Sequence, residues 1–334
     1  MQHFRNGFRA SLVAAIALVA AACGGKDATG PAANVGGNVG GGTGGGGGGS
    51  AFAIDLRWVG ETPGPQITSA FSSAAARWSQ VIVGDLTDVS TGPSAGAGAC
   101  GEPRFPDTRN VVIDDVLIYA EVDSIDGLGK TLGQAKPCFT YQGRTVLGYM
   151  TFDEADLATM VANGSIGDVV LHEMGHVLGI GTLWCGSLSR ACPSSASDTS
   201  WIRTTDVRYN AQHGVGAYGA FGGSGGAPVE NCATGVPSSC GKGTWYGHWR
   251  EATFRNELMT GYISASGNPM STMTIGALRD LGYAVDASKA DGYSLPSNAV
   301  FSGVAAAARR LEEIPYAGPI LELDRNGRVV GRVQ

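Results

Sequence analysis

The chain has 334 residues, 43% of them hydrophobic and 16% charged, which is enough for one large core or two small ones and excludes a mostly disordered, highly charged protein. Its formal net charge is −6, with no run of Lys or Arg beyond the extreme N-terminus, and this argues against a nucleic-acid partner held through phosphate contacts. The 53 glycines imply long loops and at least one unstructured tract.

Residues 1–23 read as an export signal, with Arg5 and Arg9 ahead of an apolar stretch too short to remain as a membrane span. The stretch ends Val19-Ala20-Ala21-Ala22-Cys23, a degenerate lipobox that would make Cys23 an acylated first residue and the only membrane contact. Cleavage after the Ala run without acylation is the alternative. Either way the expectation is an exported protein, secreted or lipid-anchored at the outer surface or in the periplasm. Residues 24–50 are glycine-rich with few large apolar side chains and are expected to be a flexible linker, reaching roughly 30 Å as a coil. No repeat at a solenoid or propeller period is visible.

Folded structure is expected from residue 51. Alternating Phe52, Ile54, Leu56 and Trp58 predict a strand, and Ile67, Ala70, Phe71, Ala74, Trp78 and Val81 put one buried face on a helix over 66–81. Residues 110–122, rich in Val and Ile, predict a buried strand; 146–152 predict a shorter one and 153–162 a short helix. The helix after it, 166–178, ends at Gly179. From 185 to 243 the density of Gly, Ser and Pro predicts loops. A helix returns over 270–281, stopped by Gly282, and the tail holds a polar hairpin candidate around Asp324. Beyond Cys23, six cysteines in an exported chain predict three disulfides among fifteen possible pairings. Cys185 with Cys192 and Cys232 with Cys240 would close short loops, leaving Cys100 for Cys138. No two of the six have Cys-x-x-Cys spacing, which argues against a thiolate metal site.

The chemistry lies in His172-Glu173-Met174-Gly175-His176, a HExxH motif within an apolar helical run. Residues i and i+4 of a helix lie one above the other, so His172 and His176 can reach one zinc ion while Glu173 points into the adjacent cleft. A third protein ligand and an open position for a water of pKa near ~7 would complete such a site, with Glu173 as general base. Gly179, three residues past His176, lets the chain leave the helix in a left-handed turn. Thr182 stands where the compact pattern HExxHxxGxxH would have its third His.

With a broken compact pattern followed by Gly247-His248-Trp249, Asn256-Glu257-Leu258-Met259 and the stretch from Met273 to Tyr283, the chain resembles the leishmanolysin family of metzincin zinc endopeptidases. In that family a long insertion separates the glycine from the third His. The likeness covers roughly 52–290 and is strongest over 166–283. It implies His248 as third zinc ligand and Met259 as the Met-turn methionine beneath the metal. It also implies an α+β fold: a twisted mixed sheet with the active-site helix above the cleft and a loop-rich, disulfide-stapled lower subdomain. The catalytic domain would occupy 51–290, followed by a tail over 291–334. The body is short for the family, and no long propeptide with a zinc-blocking cysteine is seen.

The function expected is therefore zinc-dependent hydrolysis of peptide bonds in protein or peptide substrates, bound extended against an exposed strand over 146–152. The alternative is a zinc-containing surface adhesin or binding module without catalysis, against which Glu173 argues, because a structural zinc site needs no base. Among the five histidines, His3 is in the signal and His213 sits in a Gly-rich stretch, whereas His248 is flanked by Trp245, Tyr246 and Trp249. A Glu ligand, Glu251 or Glu257, is the rival third ligand. Tyr262 is read as structural rather than as an oxyanion donor. Asp168 is either a partner orienting His172 or a helix-dipole feature.

Overall fold

The computed structural model describes residues 51–188, 206–231, 244–296, 309–311 and 318–333; the signal and linker expected over 1–50 and Cys192, Cys232 and Cys240 lie outside them. The alternation beginning at Phe52 yields strand β1 (Ile54–Val59), and the apolar periodicity after it yields helix α1 (Pro65–Val81), opened by a proline. Two short strands, β2 (Val89–Ser90) and β3 (Val112–Ile113), pair antiparallel. The apolar run expected as one strand over 110–122 is therefore two, β3 and β4 (Val116–Asp123). The break falls at Asp114 and Asp115, where the buried Asp115 carboxylate accepts the Ala53 and Leu86 N–H groups at 2.8 and 2.7 Å.

Strands β5 (Gly133–Tyr141) and β6 (Arg144–Asp153) form a hairpin through Gln142 and Gly143, both with positive φ, as a type I′ turn requires. The main sheet runs β1-β4-β6-β5 and then, from the C-terminal region, β11 (Leu321–Leu323) and β12 (Val329–Arg332). β1, β4 and β6 are parallel and β5 is antiparallel to β6, so the sheet is mixed. This overturns the expectation that 146–152 forms an exposed edge: β6 is paired on both sides and buried on both faces. Its near-continuous apolar run is the pattern of an interior strand.

Helix α2 (Glu154–Ala162) is capped by Asp153, whose carboxylate accepts the Ala155 N–H at 2.9 Å. Helix α3 (Ile166–Val177) follows and packs with α1 on one face of the sheet, the Trp78 indole N–H donating to the Leu171 carbonyl at 3.1 Å. Gly148 on β6 allows this approach, since a Cβ there would lie 2.2 Å from a Val177 methyl. The main core lies between sheet and helices; a second, smaller one lies on the opposite face around Phe105, Tyr119, Cys138, Tyr149 and Leu323. There the expected disulfide Cys100–Cys138 ties a loop to β5, and the buried Lys136 ammonium donates to the Cys100 carbonyl.

Past α3, loops were expected over 185–243. The described part instead contains β7 (Arg208–Tyr209) paired with β8 (Ala227–Pro228), and helix α4 (Gln212–Ala220). α4 has three glycines and little apolar periodicity. It is held by tertiary contacts: the Asp280 carboxylate accepts the His213 and Gly214 N–H groups, each at 2.9 Å, at its first turn. Short helix α5 (Glu251–Phe254), strand β9 (Tyr262–Ile263) and helix α6 (Thr272–Asp280) complete this part. Much of the tail expected over 291–334 is built into the fold. β10 (Arg309–Arg310) pairs with β9, and β11–β12 is the hairpin expected near Asp324, whose carboxylate accepts the Asn326 and Arg328 N–H groups. The architecture is mixed α/β, compatible with the α+β expectation, and no described helix is long and apolar enough to cross a membrane.

Candidate metal centre

His172 and His176 lie one turn apart on α3, and the chain returns 72 residues after His176 to bring His248 against them. All three side chains are buried. Their Nε2 atoms lie 2.9 Å (His172 to His176), 3.0 Å (His176 to His248) and 3.1 Å (His172 to His248) apart. Each Nδ1 faces a backbone carbonyl: His172 that of Leu258 at 2.7 Å, His176 that of Ile180 at 2.8 Å, His248 that of Thr244 at 3.0 Å. A carbonyl only accepts, so every Nδ1 carries the ring proton and each neutral ring turns an Nε2 lone pair toward the other two. Three converging lone pairs at that distance repel, and protonating them would bury three cations side by side. A metal cation between them removes the conflict, and backbone-oriented imidazoles are the donor set such an ion takes. The three form a group able to hold a metal ion.

Several glycines make this convergence possible. Gly175, between the two helix ligands, has no side chain where a Cβ would lie 2.8 Å from Met259 Sδ and 3.1 Å from Trp78. Met259 thus packs against α3 at Gly175, between His172 and His176 in sequence. Gly179 and Gly181 both have positive φ, and a Cβ on Gly181 would fall 2.0 Å from the Gly247 carbonyl oxygen. The two backbones touch there, which fixes the approach of His248. Tyr246, just before it, has φ +45°, and Gly247 N–H bonds back to the Trp245 carbonyl in a strained γ-turn. Thr182, at the place of the compact pattern's third His, donates its hydroxyl to the His176 carbonyl at 2.7 Å and so caps the end of α3.

Neither rival ligand joins the cluster. Glu257 accepts the Met259 N–H at 2.7 Å and the Ser271 and Thr274 hydroxyls at 2.6 Å each, tying the segment under the metal site to the start of α6. Full burial raises its pKa. Glu251 opens α5, and burial moves its carboxyl up to about 7. Asp168 does not orient His172: its carboxylate accepts the Asn268 N–H, and partial burial raises its pKa. His213 lies on α4 rather than in a loop, away from the cluster. Tyr262 is buried in β9, its carbonyl accepting the Asn268 amide at 2.9 Å.

Glu173 is buried on α3 beside the start of β5, where a Cβ on Gly133 would lie 3.3 Å from Glu173 Cγ. Among the described residues β11 pairs with the outer edge of β5 at Phe139 and Thr140. The N-terminal end of β5 therefore lies next to the acidic side chain of the HExxH motif. The structure brings together the three His named from the sequence; the close approaches at Gly133 and Gly181 and the capping role of Thr182 were not read from it. The pair Gly179 and Gly181 straddling Ile180 was a local signal for a special turn; Gly133 carried none. Comparison with models of known protein families found no match, nor did comparison with curated proteins.

Proposed function

We propose that this chain is an exported zinc-dependent endopeptidase of the leishmanolysin-like metzincin type, held at a surface where Cys23 is acylated. The carrying observation is the buried triad of imidazoles, each with its proton committed to a backbone carbonyl, two of them on helix α3, which also presents Glu173 beside the start of β5. His172, His176 and His248 would hold the ion. A zinc ion bound there would supply Lewis acidity toward a carbonyl and acidify water.

The chain's own residues do the rest. The start of β5, at Gly133, rather than 146–152, would be the strand that meets an extended substrate through its backbone, with little demand on the substrate's sequence. Glu173, beside it, takes a proton from the attacking water and returns it to the leaving amine. Its burial next to Phe152 and β5 keeps bulk water from competing for that proton. Met259 and the Glu257 network hold the floor of the site rigid, so that the three imidazoles need not reorganise.

The test is digestion of casein by the purified mature chain. Cleavage abolished by a chelator and restored by zinc supports the reading. Stoichiometric metal binding without cleavage of any protein or peptide in a broad panel would sink it and leave a metal-containing adhesin or binding module.

A further inference from the structure

We infer that Glu257 is a positioning residue of the metal centre, acting on His172 through the peptide bond between Leu258 and Met259. The inference rests on the metal-binding part of the reading above. The oxygen of that peptide, on Leu258, accepts the His172 Nδ1–H at 2.7 Å, and its N–H, on Met259, donates to the Glu257 carboxylate at 2.7 Å. One amide therefore lies between a carboxylate and a ring proton. A negative charge drawing on the N–H pushes electron density onto the carbonyl oxygen, and the stronger acceptor at Nδ1 in turn makes Nε2 a better donor to a cation. Carboxylates bonded directly to the outer nitrogen of a metal-binding histidine act in the same way; here the amide carries the effect across. His172 is the ligand so supplied. The Nδ1–H groups of His176 and His248 go to the Ile180 and Thr244 carbonyls at 2.8 and 3.0 Å. Among the described residues no carboxylate accepts the Gly181 or Trp245 N–H on the far side of those two peptides.

The surroundings of Glu257 call for its charged form. Besides the Met259 N–H it accepts the Ser271 N–H at 3.1 Å and the Ser271 and Thr274 hydroxyls at 2.6 Å each. Both hydroxyls already accept elsewhere, Ser271 Oγ from the Met273 N–H at 3.2 Å and Thr274 Oγ1 from the Trp249 indole at 2.9 Å, so each turns its own proton to Glu257. Four donors suit a carboxylate, whereas a carboxylic acid would set its own proton against one of them. Burial raises the pKa of this group, and the same four contacts oppose the rise. The hydroxyls meet Oε1 while Met259 meets Oε2, so the two sides of the carboxylate can be tested apart.

The experiment is NMR of the zinc-loaded mature protein carrying 15N-labelled histidine, in which a stronger hydrogen bond moves a buried Nδ1–H downfield. We expect the His172 Nδ1–H to lie furthest downfield of the three. Glu257→Gln keeps the shape of the side chain and removes the charge. In that variant the His172 resonance should move upfield and the His176 resonance stay in place. Zinc affinity, measured by competition with a chromogenic chelator, should fall about 10- to 100-fold. Ser271→Ala keeps the charge and the Met259 bond, so the His172 resonance should stay where it is in the parent. A merely structural brace would respond alike to both variants: equal changes in the two, or His172 and His176 moving together, overturn the proposal. Should Glu257→Gln not fold, the parent decides, since a His172 Nδ1–H upfield of either other ligand overturns it as well. A protein that takes up no zinc would overturn the metal reading and this inference with it. The expected shifts in a protein that cleaves nothing would refute the endopeptidase reading and leave the role of Glu257 standing.

Discussion

At the scale of single residues, the proposed function gives the three imidazoles and Glu173 separable tasks. Replacing Glu173 with Gln keeps the shape of the side chain and removes only the base, so metal content should stay near normal while turnover falls on the order of 10²-fold or more. Unchanged turnover at full metal content would contradict the role given to it. His248→Ala removes one of three converging Nε2 donors and should cost most of the metal and the activity. His213→Ala should keep both, because what binds Asp280 at that position is the backbone N–H, which the substitution leaves in place. Metal analysis of the two variants checks this; loss in His213→Ala with retention in His248→Ala would invert the assignment. These residue types were legible in the sequence, since HExxH puts two imidazoles and a carboxylate on one helix turn. Their orientation was not, because the acceptors of the three ring protons are carbonyls of Leu258, Ile180 and Thr244, and a carbonyl carries no residue-type signature.

At the scale of elements, the site depends on how closely backbones approach α3. Gly181→Ala would force a Cβ to within 2.0 Å of the Gly247 carbonyl at φ +77°. We expect it to shift the turn before His248 and weaken metal binding by at least about tenfold, on top of roughly 1–3 kcal/mol of strain. Gly222→Ala is the control: its φ is +89° but nothing lies within 4 Å, so it should cost about 1 kcal/mol in stability with metal affinity unchanged. Equal metal loss in both, measured by competition with a chromogenic chelator, would show that backbone strain alone and not the Gly181–Gly247 contact matters. The amphipathic helices α1 and α3 followed from apolar spacing. Helix α4 did not, since what stabilises it is Asp280, 67 residues from His213. The place of β6 inside the sheet also depended on partners remote in sequence, and its apolar run was compatible with burial at several places in a sheet.

At the scale of the whole molecule, stability should depend on pH through Glu251. Burial raises its carboxyl from 4.5 to about 7; the Thr260 and Arg255 interactions oppose the rise and Glu230 adds to it. Between those values the folded state holds a proton that the unfolded state has lost, so this group's contribution is fully present below pH 4.5 and is lost as pH rises through about 7. Glu251→Gln should therefore flatten the stability profile by up to a few kcal/mol between about pH 5 and 8, since each pH unit separating the folded and unfolded titrations is worth ~1.4 kcal/mol. The difference between variant and parent in urea unfolding, both zinc-saturated, isolates this from the pH dependence of metal binding itself. Parallel profiles would mean that the carboxyl is solvated in solution.

The sequence by itself determined which chemistry was available. The helix-period pattern around HExxH, the left-handed exit at Gly179, and the distinction between His213 and His248 all rest on interactions a few residues long or on side-chain type. Only the tertiary structure decided which strand borders Glu173, that Thr182 caps the metal helix, that Glu257 braces the floor of the site, and that the C-terminal hairpin pairs with β5. Those outcomes depend on strand order and on backbone approaches between segments many tens of residues apart. Glycines permit such contacts, but the spacing of residues along the chain does not encode which contact each glycine will make.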